Sequence, residues 1–192
     1  MPSIPAKIAL RERAAAARAA LPPHERRELT ARITDVALER LAGNDGVVGL
    51  YVPIRDEIHP GPLTQRLAAL GRRLALPSTP RMSQPLVFRT WAPGDALVRG
   101  RMNIPEPSPD APEVVPNILI VPPVAFDRRG YRIGYGAGFY DRTIPILRHL
   151  HPVLALGFAF ACQEIERVPD EQHDVPLDAI ATEGGLIVPE AT

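Results

Sequence analysis

The sequence predicts an α/β fold, a three-layer α/β/α sandwich around an open and mainly parallel sheet with a pair of helices at the N-terminus. Short apolar runs rich in β-branched residues, such as 47–52 and 117–121, are typical of strands buried on both faces. Segments with helical spacing separate these runs, the order expected for a parallel sheet. The 192 residues are expected to form one domain, 1–192, with the helices of residues 1–43 packed on its α/β core.

Two helices are predicted before the first strand. Residues 4–20 are rich in alanine and arginine and have only a thin apolar stripe, so they should form an exposed helix. Residues 24–41 carry apolar residues at a 3.6-residue spacing and end just before a glycine, a common helix stop. Lys7 and Arg11 are four residues apart and share one face of the first helix. Arg18 is assigned to solvent.

The later elements follow from apolar runs bounded by proline, glycine or polar turn residues. Residues 108–116 are polar and rich in proline, which predicts a loop. Pro145 falls inside the last predicted helix and should kink or restart it. Trp91 and Met102 are apolar and could line a pocket, but core packing is the role expected of each. The predicted strands are 47–52, 73–76, 86–88, 117–121, 152–160, 179–182 and a closing strand after Gly185, and the later helices are 62–70 and 139–150.

Composition narrows the kind of protein. Basic and acidic residues balance at 22 each, so no whole-protein field attracts nucleic acid or an anionic membrane. No apolar run approaches the ~20 residues of a membrane span, and no charged start precedes an apolar stretch, so no export signal is predicted either. Cys162 is the single cysteine, which excludes an internal disulfide and fits a reducing compartment. We therefore expect a cytoplasmic protein that acts without nucleic acid or membrane.

The most informative stretch is residues 132–142, RIGYGAGFYDR. Its three alternating glycines suit a bend whose backbone N–H groups converge on one spot, rather than the interior of a helix or strand. A predicted helix follows, so its N-terminal N–H groups face the same spot. Arg132 adds a positive charge before the bend, and Asp141 adds carboxylate oxygens suited to Mg²⁺. This combination predicts a site for a polyphosphate and a metal ion.

Residues 121–127, VPPVAFD, together with 132–142, resemble the signature of the 5-formyltetrahydrofolate cyclo-ligases, also called 5,10-methenyltetrahydrofolate synthetases. The resemblance covers essentially the whole chain, beginning at Lys7. It implies a Rossmann-like sheet and ATP- and Mg²⁺-dependent closure of 5-formyltetrahydrofolate to 5,10-methenyltetrahydrofolate, through phosphorylation of the formyl oxygen and attack by N10, with release of ADP and phosphate. One position departs from the family pattern, because Ala137 stands where some members carry a lysine that can touch phosphate.

The resemblance also assigns binding roles to individual residues. Val52 matches a position that lines the folate pocket, and Glu57 matches a glutamate that binds the pterin ring. A carboxylate can accept two N–H bonds from the 2-amino-pyrimidinone edge of a pterin. Tyr140 is implied to contact the folate or to orient its formyl group. The residues implied to bind ATP are Lys7, Arg11, Arg132, Gly134, Tyr135, Gly136, Ala137, Gly138, Phe139 and Tyr140.

The resemblance places Mg²⁺ on two carboxylates. Asp141 and Asp178 match the acidic positions of the family that hold the metal ion. Asp174 lies four residues before Asp178 and offers the same oxygens, so the choice between them stays open. Asp56 is expected to be structural. The partners implied are ATP and 5-formyltetrahydrofolate, and the protein is expected to be a monomer.

Two other functions remain to be distinguished. A small-molecule kinase would use the same MgATP site with a hydroxylated acceptor and without folate. A non-catalytic folate- or nucleotide-binding protein would bind its ligand without turnover. The presence of Arg132, Asp141 and Glu57 in one chain favours an enzyme, since a protein that only binds would not need all three.

Overall fold

The computed structural model describes residues 4–79 and 83–190, and its fold is α/β as predicted. Among the described helices, none combines the length and apolarity that crossing a bilayer requires. The helices are α1 (Ile4–Ala19), α2 (Pro23–Leu41), α3 (Gly61–Ala69) and α4 (Phe139–Leu150), and Ala161–Gln163 forms a 3₁₀ turn. The strands are β1 (Val47–Gly49), β2 (Arg73–Ser78), β3 (Val87–Thr90), β4 (Leu97–Arg99), β5 (Pro105–Pro107), β6 (Glu113–Val114), β7 (Ile118–Val121), β8 (Ala125–Phe126), β9 (Arg132–Ile133), β10 (Leu154–Phe158), β11 (Ala179–Thr182) and β12 (Gly185–Ile187).

The main sheet is mainly parallel, which confirms the sequence prediction. Within the described part of the chain it has eight strands in the order β12-β11-β10-β7-β1-β2-β3-β6. The central strands from β11 to β2 are parallel to one another, and the strands at both edges are antiparallel. After β1 the chain first forms β2 on one side of β1, and it later forms β7 on the other side. Such a reversal leaves a crevice at the carboxyl ends of the two strands involved, here β1 and β7.

Both faces of strand β7 are covered. Ile118 and Ile120 belong to an apolar cluster with residues of α2 and α3, whereas Leu119 and Val121 belong to a second cluster with residues of α4. The alternation follows from the two-residue period of a strand, which sends successive side chains to opposite faces. Because each face meets an apolar partner, the strand is apolar at every position, and this is the pattern that predicted it.

Helix α1 packs away from these two clusters. Its Leu10 and Ala14 form a third apolar cluster with Ala125 and Ile133 of the small β8–β9 hairpin. The hairpin ends where the glycine-rich stretch begins, so this packing holds α1 beside that stretch. Arg18, in the last turn of α1, is only 1% exposed. The prediction that Arg18 lies in solvent is therefore wrong.

Several local elements differ from the sequence predictions. Strand β1 is shorter than the predicted 47–52, although the Leu50 N–H just after it still donates to the carbonyl of Ala75 in β2. The β4–β5 hairpin was not predicted, since β4 is exposed and β5 contains two prolines, and β6 lies within the predicted loop 108–116. Helix α4 continues through Pro145, whose ring is exposed. Trp91 packs against the core as expected, but Met102 is 49% exposed.

Candidate active site

A cavity of about 480 Å³ opens at the carboxyl ends of the parallel strands. Tyr51 follows β1, Thr79 follows β2 and Val121 ends β7, and all three lie in its wall. Lys7 and Arg11 of α1 and the glycine-rich stretch also line it. The cavity therefore occupies the crevice that the strand order creates.

All but one of the site residues predicted from the sequence line this cavity. Asp174, the alternative second carboxylate, lines it as well, together with Met102, whose expected core position was wrong. Asp178 is the exception. The predicted residues in the cavity wall are Lys7, Arg11, Val52, Glu57, Arg132, Gly134, Tyr135, Gly136, Ala137, Gly138, Phe139, Tyr140 and Asp141.

The glycines of residues 134–138, called here the glycine segment, serve two purposes. Gly136 and Gly138 have φ values of 96° and 63°, which side-chain-bearing residues rarely adopt, and Gly138 is the residue that caps the start of α4. Gly134 has an ordinary φ, and a Cβ built on it would meet no atom within 4 Å. The fold does not require glycine at position 134. A glycine there leaves room for a ligand to approach the backbone.

Cationic side chains surround the glycine segment. The Arg11 Nε donates to the carbonyl of Gly134 at 2.8 Å, and Arg132 donates to Asp141 Oδ1 at 2.8 Å. The Lys7 Nζ lies 2.9 Å from Asp174 Oδ2 and 3.1 Å from a carboxylate oxygen of Glu171. Burial lowers the pKa of Lys7, but its hydrogen bonds to these two acids outweigh that effect and raise the pKa above its ordinary value. The lysine is therefore positively charged at neutral pH.

Asp141 and Asp174 each keep one oxygen without a hydrogen-bond donor from the described residues. Asp141 Oδ1 accepts from Arg132 and from the N–H of Val175, and Asp174 Oδ2 accepts from Lys7 and a backbone N–H. Two carboxylates with free oxygens fit Mg²⁺, which is commonly held by one or two carboxylates with phosphate and water. Across residues 4–79 and 83–190, no three His, Cys, Asp or Glu side chains gather into a metal-holding group. Water or phosphate oxygens would have to complete the ligand set.

The structure does not bring Asp178 to the cavity. Its Oδ1 accepts from Arg148 at 2.8 Å and its Oδ2 from the N–H of Ala155 at 2.7 Å, so both oxygens have partners. Asp178 directly precedes β11 and therefore lies at the amino ends of the parallel strands, whereas the cavity is at their carboxyl ends. Arg148 is seven residues beyond Asp141 along α4, a separation of roughly 10 Å. The structure therefore does not bring Asp141 and Asp178 together, because Asp141 lies in the first turn of α4 and Asp178 pairs with Arg148 in the last turn of the same helix.

Three polar side chains, those of Glu57, Tyr51 and Tyr140, lie among the apolar residues of the cavity wall. Burial raises the pKa of Glu57 to about 7, although the Ile54 N–H donates to its Oε2 at 2.9 Å. Burial also raises the pKa of Tyr140 above its ordinary value, so its hydroxyl stays protonated. Within the described residues that hydroxyl has no hydrogen-bond partner, whereas the Tyr51 hydroxyl donates to the Ile58 carbonyl at 2.6 Å. Glu57 and Tyr140 are therefore available to a ligand.

Sequence reasoning missed the role of Arg18. Its guanidinium donates to both oxygens of Asp56, at 3.0 and 2.9 Å, and to the Tyr135 hydroxyl at 2.9 Å. The hydrogen bonds from Arg18 lower the pKa of Asp56, which fits the expected structural role of this aspartate. A usable signal was present, because position 18 is eleven residues after Lys7 and seven after Arg11, so the three cations share one helix face.

The fold and cavity define an α/β protein with a phosphate-compatible glycine segment at the switch point of its sheet. The family model described as the 5-formyltetrahydrofolate cyclo-ligase family matches residues 3–183, and the chain belongs to this family. This confirms the family resemblance found in the sequence.

Known proteins of that name match over most of the chain. The 5-formyltetrahydrofolate cyclo-ligase of Escherichia coli (strain K12) is 37% identical over 140 residues, which cover 70% of this chain and 76% of the relative. The Haemophilus influenzae protein of the same name is 34% identical over 135 residues, covering 68% and 72%. The solved structure of Aquifex aeolicus 5,10-methenyltetrahydrofolate synthetase superposes with a TM-score of 0.79 at 29% identity, covering 97% of this chain and 94% of the other. A synthetase from Mycoplasma pneumoniae has the same fold, with a TM-score of 0.72 at 22% identity.

Proposed function

We propose that this protein catalyses the ATP- and Mg²⁺-dependent closure of 5-formyltetrahydrofolate to 5,10-methenyltetrahydrofolate, with release of ADP and phosphate. The single observation that carries the proposal is the composition of the cavity. Its lining combines the glycine segment and cations such as Lys7, Arg11 and Arg132 with Glu57 and apolar side chains. The names of the relatives support the same substrate.

The nucleotide would occupy the glycine-segment side of the cavity. Backbone N–H groups of residues 134–138 and the first turn of α4 can donate to phosphate oxygens, and the positive end of the helix dipole favours the same anion. Lys7, Arg11 and Arg132 supply charge that neutralises the triphosphate. These local cations matter because the chain as a whole has a net charge of zero.

Asp141 and Asp174 are the residues we propose to hold Mg²⁺. Both would bind it through the oxygen that accepts no hydrogen bond from the described residues. The bound ion would neutralise negative charge on the phosphate groups and orient them. Asp141 lies in the first turn of α4, whose N–H groups would face the phosphates, so a cation bound there would stay close to the phosphate charge.

The folate would occupy the apolar side. Glu57 accepts the N–H groups of the 2-amino-pyrimidinone edge, while Val52 and its apolar neighbours pack against the ring. Burial holds the pKa of Glu57 near 7 without ligand, and two N–H donors would favour its ionised form. Glu57 therefore has both the geometry and the titration range to recognise a pterin at neutral pH.

The reaction requires a better leaving group than a formyl oxygen. Transfer of the γ-phosphoryl group to that oxygen breaks the bond between the γ-phosphorus and ADP. The formyl oxygen then carries the phosphoryl group as a phosphate ester. N10 then attacks the formyl carbon, loses its proton, and the carbon–oxygen bond breaks with departure of phosphate. In-line transfer of this kind depends on positioning and charge neutralisation more than on a covalent nucleophile. The Tyr140 hydroxyl is the candidate donor that orients the formyl group.

Turnover with defined substrates tests the proposal directly. Purified protein mixed with MgATP and 5-formyltetrahydrofolate should produce the near-ultraviolet absorption of the methenyl product, with one ADP and one phosphate per product molecule. Omission of ATP, Mg²⁺ or folate should each abolish the signal. ADP formation that depends on a hydroxylated acceptor and not on folate would instead identify a small-molecule kinase. Tight binding of both ligands without turnover would identify a binding protein.

A further inference from the structure

We propose that Arg18 is a positioning residue that couples the two sides of the cavity, so that nucleotide and folate each strengthen binding of the other. The inference rests on the proposed function, because it assigns the nucleotide to the glycine segment and the pterin to Glu57. Arg18 does not itself line the cavity among the described residues. It would act through Tyr135 on one side and Asp56 on the other.

The contacts of Arg18 join two segments that are distant in sequence. Asp56 immediately precedes Glu57, and Tyr135 lies between the first two glycines of the glycine segment. One buried guanidinium donates to both Asp56 oxygens and to the Tyr135 hydroxyl, all within 3.0 Å. A fully buried arginine cannot leave its carboxylate without a large desolvation penalty. Its position therefore depends on Asp56, and the position of Tyr135 depends on Arg18.

A second contact links the same two segments independently. The Arg55 guanidinium carbon lies 4.8 Å from the centroid of the Tyr135 ring, within the range of a cation–π interaction. Arg55 has a φ of 54°, an unusual value for a residue with a side chain. Tyr135 is thus held at two points. Arg55 contacts its ring face, and Arg18, which is itself held by Asp56, donates to its hydroxyl.

This arrangement predicts coupling for a physical reason. A ligand that orders the glycine segment fixes Tyr135, and Tyr135 in turn restrains Arg18, Asp56 and the adjoining Glu57. The second ligand then binds to a segment whose conformational entropy has already been reduced. Thermodynamic linkage requires the effect to be reciprocal, and couplings between sites are typically 5- to 150-fold.

The test measures affinity for a non-hydrolysable ATP analogue with Mg²⁺ by calorimetry, with and without saturating 5-formyltetrahydrofolate. In the full-length wild-type protein, folate should lower the Kd of the analogue at least fivefold. The Kd ratio is the Kd without folate divided by the Kd with folate. Tyr135→Phe keeps the ring under Arg55 but loses the hydroxyl, so the Kd ratio should fall about twofold or more. Tyr135→Leu loses both contacts and should bring the ratio close to one. Arg18→Lys keeps the charge but not the two-pronged geometry and should also lower the ratio.

Arg13→Gln is the matched control, because Arg13 is exposed on the same helix and should leave the wild-type ratio unchanged. Hydrogen exchange gives a second readout, since folate alone should slow amide exchange in residues 134–138 of the wild type but not of Tyr135→Leu. If Arg18→Lys fails to fold, the Tyr135 variants still decide the question. A wild-type ratio within twofold of one, or an unchanged ratio in Tyr135→Leu, would overturn the inference alone. A wild-type protein that binds neither ligand would overturn the proposed function as well.

Discussion

At the scale of single residues, Glu57 shows how burial changes the chemistry of a common side chain. Its carboxyl group is partly buried beside Tyr51 and Tyr140, and burial raises its pKa from 4.5 to about 7. The folded protein therefore holds this proton more tightly than the unfolded chain does. Linkage then requires stability to fall as pH rises from about 4.5 through 7, because the buried group must ionise.

Glu57→Gln should remove this pH dependence, since glutamine does not titrate. Between pH 5 and pH 8 the wild type should lose about 1 to 2 kcal/mol of unfolding free energy relative to the variant, less than the full pKa shift implies because solvent screens a partly exposed carboxyl. Urea unfolding of both proteins across this range measures the difference. Parallel pH profiles for the two proteins would show that burial of Glu57 does not raise its pKa.

Gly134 offers a second residue-scale prediction. Because a Cβ would meet no protein atom there, Gly134→Ala should leave the unfolding free energy within about 0.5 kcal/mol of the wild type. The added methyl group would enter the space that we propose holds phosphate, so the Kd for an ATP analogue should rise about tenfold. Gly184→Ala is the control, because its φ is also ordinary and its Cβ would make only ordinary contacts. Unchanged nucleotide affinity in Gly134→Ala would show that this space is not used by the ligand.

At the scale of elements, helix α4 shows how Asp174 differs from Asp178, two aspartates that the sequence alone could not distinguish. Its first turn carries Asp141 toward the cavity, and its last turn carries Arg148 to the ion pair with Asp178. Asp174 lies on the cavity side, where the adjoining Val175 N–H donates to Asp141. Asp174 therefore lines the same cavity as Asp141, whereas Asp178 does not, which is why Asp174 is the second metal ligand in our proposal.

Conservative variants of these two aspartates should behave differently. Asp174→Asn should raise the Mg²⁺ concentration for half-maximal turnover at least tenfold, because a carboxylate ligand becomes a neutral amide. Asp178→Asn should leave the Mg²⁺ requirement unchanged and lower the unfolding free energy by about 1 kcal/mol, through loss of the charged hydrogen bond from Arg148. Titration of turnover with Mg²⁺, combined with urea unfolding, separates the two effects. The reverse pattern would restore Asp178 as the metal ligand.

At the scale of the whole molecule, the cavity exists because distant segments meet at one edge of the sheet. The reversal of strand order at β1 places the residues after β1 beside the end of β7. The β8–β9 hairpin then holds α1 against the glycine segment. The lining of the cavity thus comes from segments far apart in the chain, from Lys7 in α1 to Asp174.

Much of this could be predicted because it depends on local patterns. Continuous apolar runs identified the buried strands, as at Ile118–Val121, since both faces of such a strand need apolar cover. The glycine segment and the helix after it were also recognisable, because positive φ values and a helix start impose their own residue preferences. The β4–β5 hairpin escaped prediction because each of its strands has only three residues, too few to show the alternation typical of a half-buried strand.

The sequence by itself determined the α/β class, the family and the residues that line the glycine-segment side of the cavity, because these follow from periodicity and from short motifs. Only the tertiary structure decided that Arg18 is buried between Asp56 and Tyr135, and that Asp174 rather than Asp178 lines the cavity with Asp141. The reason is that a charged side chain has the same local signature on either edge of a sheet. Its partners are chosen by strand order and helix packing, which arise from contacts between residues far apart in the chain.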